Sequence, residues 1–350
     1  MAYHFKNLVF EGGGVKGIAY LGALQALEER GILNNIRRVG GTSAGAINAT
    51  IMACGYSLEE TEDILWNMDF NDFLDGTKWF FRDAKRMIKK FGWYKGDFFK
   101  RWIGHLIKAK TGKATTTFKE LRELGGPELY VIGTNLSTRF AEAFSHEHTP
   151  NFPVRDAVRI SMSIPLFFTA VRREGRGLYV DGGLFNNYPV KLFDQERYIQ
   201  PKDRKKHALK TKYYQEEKRK RGRPAFKPVY NKETLGCRLD DLEEIQILEA
   251  GRKPKPKKIS NFFQYTGALV GSVLNVQVNQ HLHSDDWQRS VYVDTLDVKT
   301  KDFNLSNKKK RELVASGRKG VDLYFDWYDK AAAKAATRPA CHPDYVDSPM

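Results

Sequence analysis

Residues 10–24 read FEGGGVKGIAYLGAL and follow a short apolar run, Leu8-Val9-Phe10. The run has the character of a strand, and Ile18, Leu21, Leu24, Ala26 and Leu27 recur at helical spacing until Gly31 supplies a stop. The opening is therefore strand, glycine turn, helix. A second unit of the same form follows, because Ile36 to Val39 leads into GGTSAGAINATIMA, small and apolar enough for a helix packed close on a sheet. Further strands are expected at 128–136, 178–180 and 289–293, with helices at 153–161 and about 306–329. This alternation predicts an α/β fold, a three-layer α/β/α sandwich around a mostly parallel sheet, with sites at the carboxyl ends of strands.

What the glycine loop holds is the first chemical question. Gly12, Gly14 and Gly17 fit G-x-G-x-x-G, but a dinucleotide fold also needs an acid about 20 residues on. Ile36-Arg37-Arg38-Val39 stands there instead. A Walker loop fails as well, since Lys16 is followed by Gly17 rather than Ser or Thr.

The second unit supplies a different context. Gly41-Thr42-Ser43-Ala44-Gly45 is G-x-S-x-G on a strand-to-helix turn, a sharp elbow that exposes the serine hydroxyl at a helix N-terminus. A nucleophilic serine needs N–H donors for the oxyanion, and bare glycine backbone can bring them within ~3 Å. That is a task for the opening loop, with Lys16 adding positive field or bracing the turn. None of the eight histidines lies in a strand-end motif. Asp181 does, in LYVDGG, where two glycines let the chain turn sharply. A Ser43–Asp181 dyad is the consistent reading, with desolvation raising an aspartate whose ordinary pKa is ~3.9. Taken singly, each motif also fits an ordinary tight turn.

The three signatures, GGGVKG (12–17), GTSAG (41–45) and DGG (181–183), stand in an order that resembles the patatin-like phospholipase family. SMSIPLFF and NKETLGCRLD are weaker echoes. The resemblance covers roughly residues 5–190. It implies metal-free and cofactor-free hydrolysis of acyl esters, with Ser43 as nucleophile and Asp181 as proton acceptor. Gly12, Gly13, Gly14 and Ala44 would form the oxyanion hole, supported by Val15, Lys16, Gly17, Gly41, Thr42, Gly45, Gly182 and Gly183. A serine acyltransferase and a binding protein with a vestigial site remain as alternatives.

Around this core, 58 Lys and Arg against 42 acids give a formal net charge of +16, which favours an anionic partner. The reading takes this as a phospholipid membrane surface, with an activating host protein or small molecule left open. Residues 1–330 are expected to form one catalytic domain and 331–350 a loose tail. An aromatic, basic helical cap is expected at about 58–110; within it, 78–95 reads as a cationic amphipathic helix. A basic insertion is expected at about 198–230; its stretch 201–223, read as solvated and outside the core, holds eleven Lys or Arg against three acids. KRKRGRP at 218–224 contains an AT-hook-like core, but nucleic acid is not the favoured partner. HLHSDD at 281–286 falls short of a metal motif, so no metal is expected. No secretory leader is apparent, and the longest weakly polar stretch, 267–276, is short of the ~20 residues of a spanning helix. A cytoplasmic protein peripheral at membranes is expected, with export lacking an N-terminal signal left open. Three scattered cysteines read as packing residues.

Overall fold

A computed structural model describes residues 3–75, 86–211, 214, 227–240, 258–261, 264–265, 268–269, 271–273, 285–300 and 302–331. The first unit is β1 (Asn7–Phe10), a 3-10 turn (Gly14–Ile18) and α1 (Ala19–Glu29). The second is β2 (Arg38–Thr42) and α2 (Ala44–Ala53). Next come α3 (Leu58–Asn67), β3 (Gly92–Tyr94), α4 (Asp97–Thr111), α5 (Phe118–Glu123), β4 (Glu128–Asn135), β5 (Phe140–Ser145) and α6 (Val154–Ser161). The chain continues through β6 (Leu166–Phe168), β7 (Val171–Arg173), β8 (Gly177–Asp181), α7 (Gly183–Asn186), α8 (Arg204–His207) and β9 (Ala208–Leu209). Last are β10 (Tyr230–Asn231), β11 (Thr234–Asp240), β12 (Ser290–Asp294) and α9 (Asn307–Ala331).

The main sheet runs β12-β11-β1-β2-β4-β8-β7, with β5 also on β4. Strands β12, β11, β1, β2 and β4 are parallel, while β5, β7 and β8 are antiparallel. The parallel strands are buried on both faces, which explains runs such as Asn7–Phe10 that show no polar alternation. Leu8, Phe10, Val39 and Val131 face the large core shared with α1, α2 and α9. Val9 and Tyr130 point the other way, into a small cluster with Phe193 and Tyr198. Helices α1 and α9 cross where Gly22 meets the Val314 carbonyl and Gly317 the Ala19 carbonyl; a side chain at either glycine would overlap backbone.

Three expectations need adjustment. The second strand begins later than 36–39 and takes in Gly40-Gly41-Thr42, since these residues pair with β1 and β4. The end of the 78–95 segment is not helical: residues 86–90 are, but Gly92–Tyr94 forms β3 and pairs with β6, while 76–85 lie outside the described residues. The 198–230 stretch is not wholly outside the core. Tyr198, Ile199, Tyr214, Val229 and Tyr230 are buried, and β9 pairs with β10, because its apolar ends close over the sheet. KRKRGRP, residues 281–284, Cys341 and residues 332–350 lie outside the described residues. Cys54 and Cys237 are buried free thiols, and burial pushes each up to about 12.

Candidate active site

The register of β4 brings two distant motifs together. Ile132 pairs with Ala143 of β5 and Thr42 of β2; the next residue, Gly133, pairs with Glu142 of β5 and Asp181 of β8. Because β5 occupies one edge of β4 throughout, β2 and β8 share the other edge and meet end to end. The carboxyl end of β2, carrying Ser43, therefore abuts the carboxyl end of β8, which ends in Asp181. The antiparallel β8 makes this possible and departs from the expected parallel-strand rule for building sites.

Ser43 occupies φ 53, ψ −124, a conformation that costs a serine about 1–3 kcal/mol. Tight packing holds it there. A side chain on Gly41 would collide with the backbone of Gly45, and one on Gly45 with the carbonyls of Phe10 and Glu11. The Ser43 N–H donates to Ser161 Oγ at 2.9 Å, and Thr42 Oγ1 donates to the Asn186 carbonyl at 2.8 Å. The Ser43 hydroxyl makes no capping bond to α2 and lies 3.5 Å from Met162 Sδ.

Ser43 and Asp181 are 6% and 5% exposed. Asp181 Oδ1 accepts from the Gly183 N–H at 2.7 Å, while Oδ2 is buried without a hydrogen-bond partner among the described residues. Burial pushes Asp181 up to about 7, against the pull of the Gly183 N–H and of the neighbouring Ser43 hydroxyl. The hydroxyl is thus near enough to act on the carboxylate but turned toward Met162.

The glycine loop lies beside the elbow: a Cβ on Gly12 would sit 3.1 Å from Ser43 Cβ, and one on Gly17 3.0 Å from Ala44 Cβ. The Gly12 N–H is already committed to the Asn187 carbonyl at 3.0 Å. No hydrogen bond from the N–H groups of Gly13, Gly14 or Ala44 is found among the described residues. Gly14 has φ +58 and packs on Thr300, so only glycine fits. Val15 lies in the core and its N–H reaches the Thr300 carbonyl at 3.4 Å. Lys16 acts on two carboxylates behind the loop, Glu11 and Asp240. Gly182 presses on the Ile132 carbonyl at the end of β8.

Several supporting residues carried no sequence motif of their own. Burial pushes Glu11 up to about 7 even though Arg238 opposes it; Glu11 accepts from the Leu239 N–H at 2.8 Å and Asn187 Nδ2 at 3.2 Å. Asn187 Nδ2 also donates to the Gly12 carbonyl at 3.1 Å, tying the segment after DGG to the loop. Arg159 is buried in the wall. It donates to Ser163 Oγ, the Lys95 carbonyl at 2.6 Å and the Thr169 carbonyl at 3.1 Å. Ser163 in turn fixes β8 by accepting the Asp181 N–H at its carbonyl, 2.8 Å. The signals for these were faint: a carboxylate closing an apolar strand in LVFE, and a cation at an inward helical position.

Among the described residues, no cluster of His, Cys, Asp and Glu fit to hold a metal ion occurs.

Comparison with known proteins agrees with this arrangement at the level of family. Residues 8–194 match the family described as patatin-like phospholipase. Over 330 residues the chain is 30% identical to the uncharacterized protein YqhO of Bacillus subtilis, spanning 90% of this chain and 96% of YqhO. It is 27% identical over 203 residues to the probable lipid hydrolase 463L of Invertebrate iridescent virus 6, spanning 58% of this chain and 67% of that one. Among solved structures, VipD from Legionella pneumophila aligns with a TM-score of 0.56 at 18% identity, over 93% of this chain and 68% of VipD, a likeness of fold alone. With the family match spanning more than half of its length, the chain belongs to the patatin-like phospholipase family.

Proposed function

We propose that the protein is a lipid acyl hydrolase, a phospholipase A or lysophospholipase, that cleaves fatty-acyl esters of membrane phospholipids with a Ser43–Asp181 dyad. The observation that carries this reading is the end-to-end meeting of β2 and β8, which sets a strained serine beside a buried carboxylate whose Oδ2 has no hydrogen-bond partner among the described residues. A rotation of the Ser43 side chain away from Met162 would turn the hydroxyl to that oxygen.

Ser43 Oγ attacks the ester carbonyl carbon as its proton passes to Asp181 Oδ2. The N–H groups of Gly13, Gly14 and Ala44 receive the oxyanion; Gly12 supports the loop, its own N–H being spent on Asn187. The C–O bond to the lysolipid or glycerol fragment breaks, and Asp181 returns the proton to the departing oxygen. Water, deprotonated by Asp181, then attacks the acyl-serine and releases the fatty acid. Neither metal nor cofactor enters any step.

Residues 1–330 act as one catalytic unit, with 58–110 as a cap. Among the described residues no helix is long and apolar enough to cross a membrane. Peripheral attachment is supported by exposed apolar side chains: Phe185, two residues past Gly183, is 48% exposed, and Ile88, next to exposed Lys89 and Lys90, is 77% exposed. The test is fatty-acid release from mixed phospholipid liposomes by wild type, Ser43→Ala and Asp181→Asn, with and without cell extract as a source of activator. Release by wild type alone supports the reading. Equal release by all three overturns it, and transfer of the acyl group to added glycerol in place of water would make the protein a transferase.

A further inference from the structure

The parallel strands have a second end. Where β1, β2 and β11 begin, Lys6, Arg37, Arg38, Tyr198, Gln200, Lys202, Asp203 and Glu233 enclose a cavity of ≈ 210 Å³. Ser43 stands at the far end of β2, five residues beyond Arg38, or roughly 16 Å at ~3.3 Å per residue. The cavity therefore lies apart from the acyl-ester site but shares its strands. Tyr198, Gln200, Lys202 and Asp203, from the start of the basic insertion, form one of its walls.

Four cationic side chains face two carboxylates there, and not all are equally committed. Arg38 is built in place: Nε pairs with Glu128 Oε2 at 3.1 Å, Nη1 donates to Asn7 Oδ1 and to the Tyr198 carbonyl, both at 3.3 Å, and the guanidinium lies 5.0 Å from the Tyr198 ring centre. Lys6 makes one long bond, to Asn35 Oδ1 at 3.5 Å. The exposed side chains of Arg37 and Lys202 have no hydrogen bond or ion pair among the described residues. Of the two carboxylates, Glu233 is buried and meets His207 Nδ1 at 2.7 Å, so part of its charge is answered within the wall. Asp203 is the one acidic group left to restrict which anions enter.

We infer that this cavity is a binding site for a phosphate-bearing anion, distinct from the hydrolytic site, and that the basic insertion supplies one of its walls. A phosphate presents several acceptor oxygens and suits a fork of guanidinium donors with a mobile ammonium beside it. The volume corresponds to about seven waters at ~30 Å3 each, enough for a phosphate and the group esterified to it. The four cations and two carboxylates of its lining disfavour an acyl chain. Exposed Lys205, Lys206 and Lys210 extend the positive field outward, drawing anions in over about a Debye length, ~8–10 Å.

The experiment measures binding, so it stands or falls independently of hydrolysis. Wild type, Ser43→Ala and the double variant Arg37→Gln/Lys202→Gln are titrated with inorganic pyrophosphate at constant ionic strength, by calorimetry and by the shift in Tm. In parallel, each protein is floated with phosphatidylcholine vesicles that hold or lack phosphatidylinositol 4-phosphate. Both replaced side chains are exposed, and an unchanged Tm of the ligand-free double variant checks its fold. The expected result is equal binding by wild type and Ser43→Ala, weakened about tenfold or more in the double variant, as loss of charge-assisted bonds requires. Pyrophosphate binding points to a soluble phosphorylated ligand; binding restricted to phosphoinositide vesicles points to a lipid headgroup. Undiminished binding by the double variant, or no binding to either kind of probe, overturns the inference.

Discussion

Ser43 and Asp181 are both held where neither residue type is comfortable, one by its backbone and the other by its burial. The discomfort makes testable statements. Catalysis needs ionised Asp181, whose pKa stands at about 7, so kcat/KM should rise about tenfold per pH unit below that value and level off above it. A profile flat from pH 5 to 8 would remove Asp181 as the base. The same group has a stability consequence of opposite sense. Its folded pKa lies above its unfolded value, so its contribution is intact below about pH 4 and is lost as pH rises through about 7. Asp181→Asn should therefore unfold at higher denaturant than wild type at pH 8, by up to about 4 kcal/mol, with the gap closing toward pH 4. Denaturant titrations of both proteins across this range check the sign.

At the level of elements, the site depends on how closely β2, the glycine loop and the end of β8 approach one another. Gly45→Ala should cost at least ~2 kcal/mol, because a methyl there meets the carbonyls of Phe10 and Glu11 with no flexible side chain to yield. Asn187→Ala is a milder probe. It removes the bonds to Glu11 and the Gly12 carbonyl, and the loosened loop should lower kcat ~10–100-fold with little change in KM and about 1 kcal/mol of stability. These elements were legible in the sequence to different degrees. The elbow was readable because G-x-S-x-G leaves few alternatives once a strand precedes it and a small-residue helix follows. The placement of Asp181 was readable as a strand end, but not its strand's direction, since the antiparallel pairing with β4 joins residues more than forty positions apart. Asn187 and Ser163 were invisible because their partners, Glu11 and Gly12 for the one and Asp181 for the other, are distant in sequence.

For the whole molecule, the residues that carry the chemistry are not sufficient to fold. Strand β1 leads into the glycine loop and is paired on one side by β2 and on the other by β11, which arrives only at residue 234. Helix α9 then covers α1 with Leu313, Val321, Tyr324 and Phe325. A fragment of residues 1–194 should lack cooperative unfolding, having lost a central strand and that cover; a sharp transition near the full-length Tm would contradict this. Arg289 ties the late chain to the middle by pairing with both Asp194 and Asp286 in the interior. Arg289→Met should destabilise by about 3–5 kcal/mol, since two buried carboxylates lose the cation they share. No motif pointed to this pairing. Basic character at 201–223 argued for a solvated insertion, whereas the buried network takes in Tyr214 from within that stretch and Tyr230 just beyond it. Local composition reports solvation of a segment but not what its ends are anchored to.

The central claim is that one serine, activated by one buried carboxylate, is the nucleophile. Its most direct test is labelling with a long-chain alkyl fluorophosphonate, followed by peptide mass mapping. The account predicts a single adduct on Ser43, absent from Ser43→Ala, and formed at least ~100-fold more slowly in Asp181→Asn. An adduct on another residue, or phospholipid hydrolysis that continues while Ser43 stays unlabelled, would contradict it.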